Sequence, residues 1–327
     1  MRPSIVKIAA WGDRYVASLQ ENILPCLMAP GNLPALSQFS PTTLLLYLDR
    51  DIGFEPNIPG LKVITHLVEG ADDLPANRRV LAHTDAESVR IALAKDADWF
   101  SFQADTLISD IFLPRVKRLL VDHLAVAGSP VRMNIELFRA MARNRRAFPA
   151  DLLRGMSMAF MHPVTANYFV RDPPATIPAD PHQLLFKTPG GFVARTWQFC
   201  PFGISWEGLQ PIDAWDDDTP TVDDDSTIDC YLVQSLPGKR VRFHVPAVDE
   251  FYLTSLDEPS GIPKFGEFEM SAAGVANSIR KFSRDLSGVI HCHLALQQRF
   301  AYPTDITLPD SLGEEETLEA VRKALLT

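Results

Sequence analysis

The sequence predicts an α/β fold, a mixed sheet flanked by helices, with a β-rich second half and C-terminal helices. Three observations carry this expectation. In the first half, short apolar runs alternate with segments of helical spacing, the signature of parallel strands joined by crossover helices. Polar turns close several of those runs, as at Trp11-Gly12-Asp13 and Asp49-Arg50-Asp51. From about residue 135 the pattern changes to hairpin signals and proline-rich connections.

Each element follows from local chemistry. Ile5 to Ala10 reads as the opening strand, and Tyr15, Val16, Leu19, Ile23 and Leu27 then recur at helical spacing until Pro30-Gly31 stops the helix. Thr43 to Leu48 and Leu61 to Leu67 are the next strands. Ala86 to Ala94 is helical and leads into the strand Trp99 to Gln103, and Leu113 to Ala127 reads as one long amphipathic helix. Pro130 to Asn134 follows, and then helices at Ile135 to Arg146 and Ala150 to Phe160. The run Asp172-Pro173-Pro174 through Pro181 has the composition of a surface crossing. Gln183 to Thr188 and Phe192 to Ile204 are joined by Pro189-Gly190-Gly191, a hairpin turn because glycine accepts positive φ. Phe192, Trp197, Phe199 and Phe202 make the second strand aromatic, as a sheet core or a substrate platform. Ile228 to Leu232 and Val241 to Val245 read as strands, and Ser271 to Phe282, Val289 to Phe300 and Leu312 to Leu326 as helices.

Composition bounds the function. The chain has 327 residues, of which 46% are apolar, enough for a substantial core. With 31 basic and 41 acidic residues its formal charge is -10, so no broad cationic surface exists to neutralise a nucleic-acid backbone. Local basic clusters, Arg139, Arg143, Arg145 and Arg146 or Lys239, Arg240 and Arg242, suit a small phosphorylated ligand or a solvated face. The first residues carry a charge inside their only apolar run, which predicts no secretory segment. No run approaches the roughly 18 apolar residues of a membrane span, and a cytoplasmic location is expected. Cys26, Cys200, Cys230 and Cys292 are far apart and read as free thiols; His291-Cys292-His293 reads as packing, since sequence neighbours on a helix do not face one another.

The stretch Trp99-Phe100-Ser101-Phe102-Gln103-Ala104-Asp105-Thr106-Leu107-Ile108-Ser109-Asp110-Ile111 is the most informative. An apolar strand runs into a polar turn whose acids cannot all be packing residues. It resembles the nucleotide-sugar glycosyltransferases of the GT-A fold, most closely family 8, in which such a strand ends in Asp-x-Asp. In that motif the carboxylates hold a divalent metal against the donor diphosphate. Gln103 stands where the first Asp would be, and Ser109 where a Gly is usual. The resemblance implies a GT-A-like, Rossmann-like sheet, with residues 1–134 as the nucleotide-sugar-binding half and 135–327 as the acceptor-side half of one continuous domain. It also implies a divalent cofactor, Mn or Mg, at Gln103 and Asp105, although Gln103 offers a hard cation only a neutral carbonyl. The alternative for Asp105 and Asp110 is capping of the turn and the following helix.

Ligands of open α/β sheets lie outside the carboxyl ends of the strands, where Trp11-Gly12-Asp13, Leu48-Asp49-Arg50 and Gln103-Ala104-Asp105 all fall. Trp11, Gly12, Asp13, Tyr15, Asp49, Ser109 and Asp110 are therefore the candidate donor-binding residues, with Trp11 or Tyr15 able to stack on a base. No Gly-x-Gly-x-x-Gly or Gly-x-x-x-x-Gly-Lys pattern supports a dinucleotide or P-loop site. A transferase also needs a base for the acceptor hydroxyl and a group to stabilise the departing diphosphate. Asp229, Asp249 and Glu250 are candidate bases, and His244 with Arg242 candidate phosphate partners. The acidic run Trp215 to Ser226 reads as a solvated loop or a cation site. The expected function is transfer of a sugar from a nucleotide donor to a glycan or small-molecule acceptor. The alternatives are a non-catalytic nucleotide-sugar or protein-binding module and a metal-dependent hydrolase.

Overall fold

A computed structural model describes residues 1–69, 74–142, 145–177, 183–197, 200–209, 240–244, 249–258, 268–283, 296, 299–305 and 307–326. In chain order the elements that position the site are β1 (Ser4–Ala10), α1 (Gly12–Ser18), α2 (Leu24–Leu27), α3 (Leu33–Phe39), β2 (Thr42–Leu48), β3 (Leu61–Leu67), α4 (Leu74–Ala94) and β4 (Asp98–Gln103). They continue with β5 (Thr106–Ile108), α5 (Phe112–Leu119), β6 (Ala125–Gly128), β7 (Val131–Asn134), α6 (Ile135–Ala142) and α7 (Ala150–Ala159). Then come β8 (Thr176–Ile177), β9 (Gln183–Thr188), β10 (Gly191–Thr196), β11 (Cys200–Ile204), β12 (Val241–Phe243), β13 (Leu253–Asp257), β14 (Phe268–Glu269) and β15 (Phe300–Pro303). Helices at Ala272–Ser283 and Glu314–Leu326 occupy the C-terminal region.

The central sheet has seven strands in the order β12-β6-β11-β4-β1-β2-β3. β1 pairs in parallel with both β2 and β4, and β11 is antiparallel to its two neighbours. The fold is thus mixed α/β, with a largely parallel central sheet flanked by helices. β1 is buried along its whole length because both faces are covered, which explains its near-continuous apolar run. Val6, Ile8 and Ala10 join the larger core with Val16, Leu19 and Phe112, whereas Ile5 and Ala9 face Val89, Ala92 and Trp99 on the other side. On that second face Lys7, fully buried, places Nζ 2.7 Å from Asp85 Oδ1.

Small sheets complete the second half. β5, β13 and β7 form one, and β9, β10 and β15 another. The hairpin expected at Pro189-Gly190-Gly191 is present, with Gly191 opposite Thr188. Gly191 has φ +144°, and a Cβ there would lie 2.1 Å from the Tyr302 carbonyl oxygen, so glycine is required. Phe192 stacks on Tyr302 with ring centroids 4.7 Å apart, and Trp197 and Phe202 are buried, so these aromatics are core.

Four expectations need correction. Among the described residues the helix expected from Ile135 to Arg146 covers only Ile135–Ala142, and Arg145 and Arg146 are not helical. The long helix expected from Leu113 to Ala127 ends at Leu119, and Ala125–Gly128 is a strand in the sheet. A four-residue apolar run satisfies either period, and no glycine or proline marks the stop at Leu120. The strand expected from Phe192 to Ile204 is two strands in different sheets. Phe300, expected at a helix end, begins β15. Ile228 to Leu232, Asp229, the Trp215 to Ser226 run, Lys239, Cys230 and His291-Cys292-His293 lie outside the described residues. No helix among the described residues is long and apolar enough to cross a membrane.

Candidate functional site

The strand order β3-β2-β1-β4 reverses direction of growth between β1 and β4, and the crevice at such a switch point is where open α/β sheets bind ligands. Two turns flank it. The first begins at Trp11, which is half-buried against the α4-side core, and continues into α1 at Gly12, with φ +76°. The Gly12 amide donates to Asp49 Oδ2 at 2.7 Å, tying the end of β1 to the end of β2. Arg50 bonds both Asp49 and Asp13, the latter at 2.6 Å, and its hydrogen bonds hold the Asp49 carboxyl below the usual range. Gly12, Asp13 and Asp49 thus shape the turn. Arg14 and Tyr15 emerge from it, with the guanidinium 5.3 Å above the Tyr15 ring and Tyr15 42% exposed.

The second turn carries Gln103 and Asp105. The Gln103 amide bonds Thr106 Oγ1 at 3.3 Å, and the Asp105 carbonyl accepts from the Leu256 amide at 2.8 Å, bringing the end of β13 alongside. The Asp105 carboxyl is pushed up to about 6, first by burial and then by the Asp257 carboxylate, against the pull of Arg132 and Arg14. Arg132 Nη1 donates to Asp257 Oδ2 at 2.6 Å, and Arg14 lies 3.4 Å from Glu258. Tyr15 belongs to the same field. Burial raises its phenol most, and Arg14, Asp105, Asp257 and Arg132 all act on it.

The site is therefore a cluster of two guanidinium groups, three carboxylates and a phenol at the switch point, with Arg132 paired to Asp257 and Arg14 to Glu258. Arg14, Arg132 and Asp257 escaped the sequence reading. Their signals were modest: one charged residue in the apolar strand Val131-Arg132-Met133, and one closing Leu253 to Asp257.

The other candidates sit elsewhere. Ser109 is fully buried, accepts from the Tyr252 amide through Oγ at 2.9 Å, and stitches β5 to the chain before β13. His244 is buried among Phe202, Phe251 and Tyr252, with Nε2 2.8 Å from the Phe251 carbonyl oxygen, and burial lowers its imidazole to about 4. Asp110 accepts from the Gly31 amide at 3.0 Å, and a Cβ at Gly31 would lie 2.3 Å from the same oxygen. Asp110, Ile111, Asp151, Arg154, Asp249 and Glu250 line a separate cleft of about 500 Å³. Asp249 is held by Arg242 at 2.7 Å, and Glu250 pairs with Arg115.

β13 runs antiparallel to β5, with Leu253 opposite Ile108 and Ser255 opposite Thr106. Asp257 consequently lies at the Asp105 end, while Asp249 and Glu250 precede the other end, roughly 13 Å or more away at about 3.3 Å per residue. The structure joins Arg14, Tyr15, Asp105, Arg132 and Asp257, and separates them from Asp249 and Glu250.

A metal fits this donor set poorly. Hard divalent ions prefer several charged oxygens. Gln103 supplies a neutral amide, and Asp257 is already engaged by Arg132. Among the described residues, no three His, Cys, Asp or Glu side chains group as metal ligands. No protein-family model and no curated protein matches the chain.

Proposed function

We propose that this chain is a GT-A-like glycosyltransferase that moves a sugar from a nucleotide-sugar donor to a glycan or small-molecule acceptor. In this reading Arg14 and Arg132 hold the donor diphosphate in place of a divalent cation. The observation that carries it is the convergence of Arg14 and Tyr15 from the β1 turn, Asp105 from the β4 turn and the Arg132–Asp257 pair at the switch point.

Guanidinium groups bind phosphate oxygens by charge-assisted hydrogen bonds and stay charged throughout the working pH range. As the glycosidic bond to the diphosphate breaks, negative charge grows on the departing oxygens. Fixed cations stabilise that charge without rearranging. Tyr15, exposed beside the cluster, offers a face for the base, and the Arg132–Asp257 bond fixes the guanidinium plane. Asp105, near neutrality at mildly acidic pH, is suited to donate to a phosphate or sugar oxygen.

A non-catalytic nucleotide-sugar binder is the second reading. It is favoured by Gln103 and by the distance of Asp249 and Glu250, both engaged with arginines, from the cluster. A metal-dependent hydrolase rests on the acidic run outside the described residues.

Release of nucleoside diphosphate from a panel of nucleotide sugars separates the first two, measured with EDTA in the wild type and in Gln103→Asp. Turnover in EDTA supports the metal-independent transferase. Turnover only in Gln103→Asp with manganese indicates a binding protein descended from a metal-dependent enzyme.

A further inference from the structure

A further cleft, about 380 Å³, opens between the end of the first helical stretch and α6, with Phe138 and Phe148 in its wall. α1 and α2 are linked by a π-helical segment, Leu19–Ile23, which turns Gln20, Glu21 and Asn22 towards the cleft. Such segments are rare and frequent at functional sites. Opposite them stand Arg139, Arg145 and Arg146. Arg139 is matched by Glu21 at 3.2 Å. Arg145 and Arg146 are exposed and have no ion-pair partner among the described residues. The cleft therefore carries a surplus of two positive charges in a chain whose formal charge is -10. Cys26, also in the wall, adds no countercharge, since burial foremost and Asp110 next push its thiol up to about 12.

The position is as informative as the charge. The helical stretch that holds Arg14 and Tyr15 at the candidate donor site continues to Glu21, and α6 starts directly after β7, which carries Arg132. The two elements remain adjacent at the Glu21–Arg139 pair. Tyr15 to Glu21 is six residues, so the cleft begins roughly 9 Å along the helix from the donor cluster.

We propose that this cleft binds an anionic group, a phosphate or a carboxylate, through Arg145 and Arg146. Resting on the transferase reading above, that group belongs to an acidic acceptor extending from the transfer site. Bidentate guanidinium recognition suits both anions, and polar Gln20 and Asn22 complete the lining.

Calorimetric titration of inorganic pyrophosphate and of glucuronate, in EDTA, tests the site. The comparison is between full-length Arg14→Gln, which weakens anion binding at the donor cluster, and Arg14→Gln carrying Arg145→Gln and Arg146→Gln as well. Arg145 and Arg146 are exposed, so folding is preserved, and the melting temperature checks it. Arg14→Gln should bind one of the two anions, pyrophosphate identifying a phosphate-bearing group and glucuronate a carboxylate-bearing one. The triple variant should bind it at least about tenfold more weakly, the loss expected for charge-assisted bonds. Equal affinity in the two proteins, or no binding to either at about 10 mM ligand, would overturn the anion site. Anion binding in a protein that binds no nucleotide sugar would overturn only the acceptor assignment, and would leave the cleft as an independent anion site.

Discussion

Arg132 Nη1 donates to Asp257 Oδ2 at 2.6 Å, joining neighbouring strands β7 and β13 beside the turn that follows β4. The Asp257 side chain is 12% exposed and that of Arg132 34%, so the pair is neither fully screened nor fully desolvated. Arg132→Gln leaves Asp257 beside Asp105 without its cation. The variant should lose about 1–3 kcal/mol of stability in urea denaturation, between the limits for exposed and buried pairs. Its affinity for a nucleotide sugar should fall at least about tenfold. Unchanged affinity would remove Arg132 from the donor site.

The Asp105 carboxyl has a native value of about 6, above its unfolded value, so the native state binds the extra proton between about pH 4 and 6. Its contribution to stability is complete below the lower value and is lost as pH rises through the upper one. Asp105→Asn should abolish that slope, with a difference from wild type of up to about 3 kcal/mol across the window. Urea midpoints at pH 4 and pH 7 measure it. The same titration should make metal-free binding of a nucleotide sugar tighter at pH 5.5 than at pH 7.5, because ionised Asp105 repels the diphosphate.

His244 has the opposite sign. Its native value of about 4 lies below the unfolded one, so stability is present above about pH 6.5 and is lost as pH falls through 4. The buried neutral ring must be charged on unfolding in acid. His244→Gln should flatten this acid limb while lowering stability at pH 7 by about 1–3 kcal/mol, through the lost ring packing and the Phe251 carbonyl bond. Donor binding at pH 7 should be unchanged, which distinguishes packing from phosphate contact.

The buried pair of Lys7 and Asp85 makes a separate test of the core. Lys7→Met strands a carboxylate that is 1% exposed and should cost about 3–5 kcal/mol. The double change Lys7→Met with Asp85→Leu should regain most of that loss, read from urea denaturation of both proteins.

The legibility of this fold follows the periodicity of each segment. β1, β2 and β4 were readable because each is a largely buried apolar run closed by polar residues, and β3, a half-buried edge strand, through its β-branched run Val63-Ile64-Thr65. α4 was legible only over its apolar half, Ala86 to Ala94, since its start is polar and lacks a helical stripe. Ala125–Gly128 was not, because four small apolar residues carry neither period decisively. At the site, the two turns flanking β1 and β4 could be found from the ends of their strands. Arg132 and Asp257 could not, since they meet Asp105 only through the register of β13 with β5 and β7, a long-range pairing that no local spacing encodes. The same register carries Asp249 and Glu250 away from the cluster that sequence proximity to Asp257 would have suggested.

The most direct measurement is the melting temperature of the full chain against a panel of nucleotide sugars, each with EDTA and with manganese, because a ligand that binds the native state stabilises it by mass action. A rise with one donor that is equal in EDTA and manganese, and lost in Arg132→Gln, is the result expected of a diphosphate held by Arg14 and Arg132. A rise that requires manganese would contradict the arginine-held diphosphate, and no rise with any donor at millimolar concentration would contradict the donor site itself.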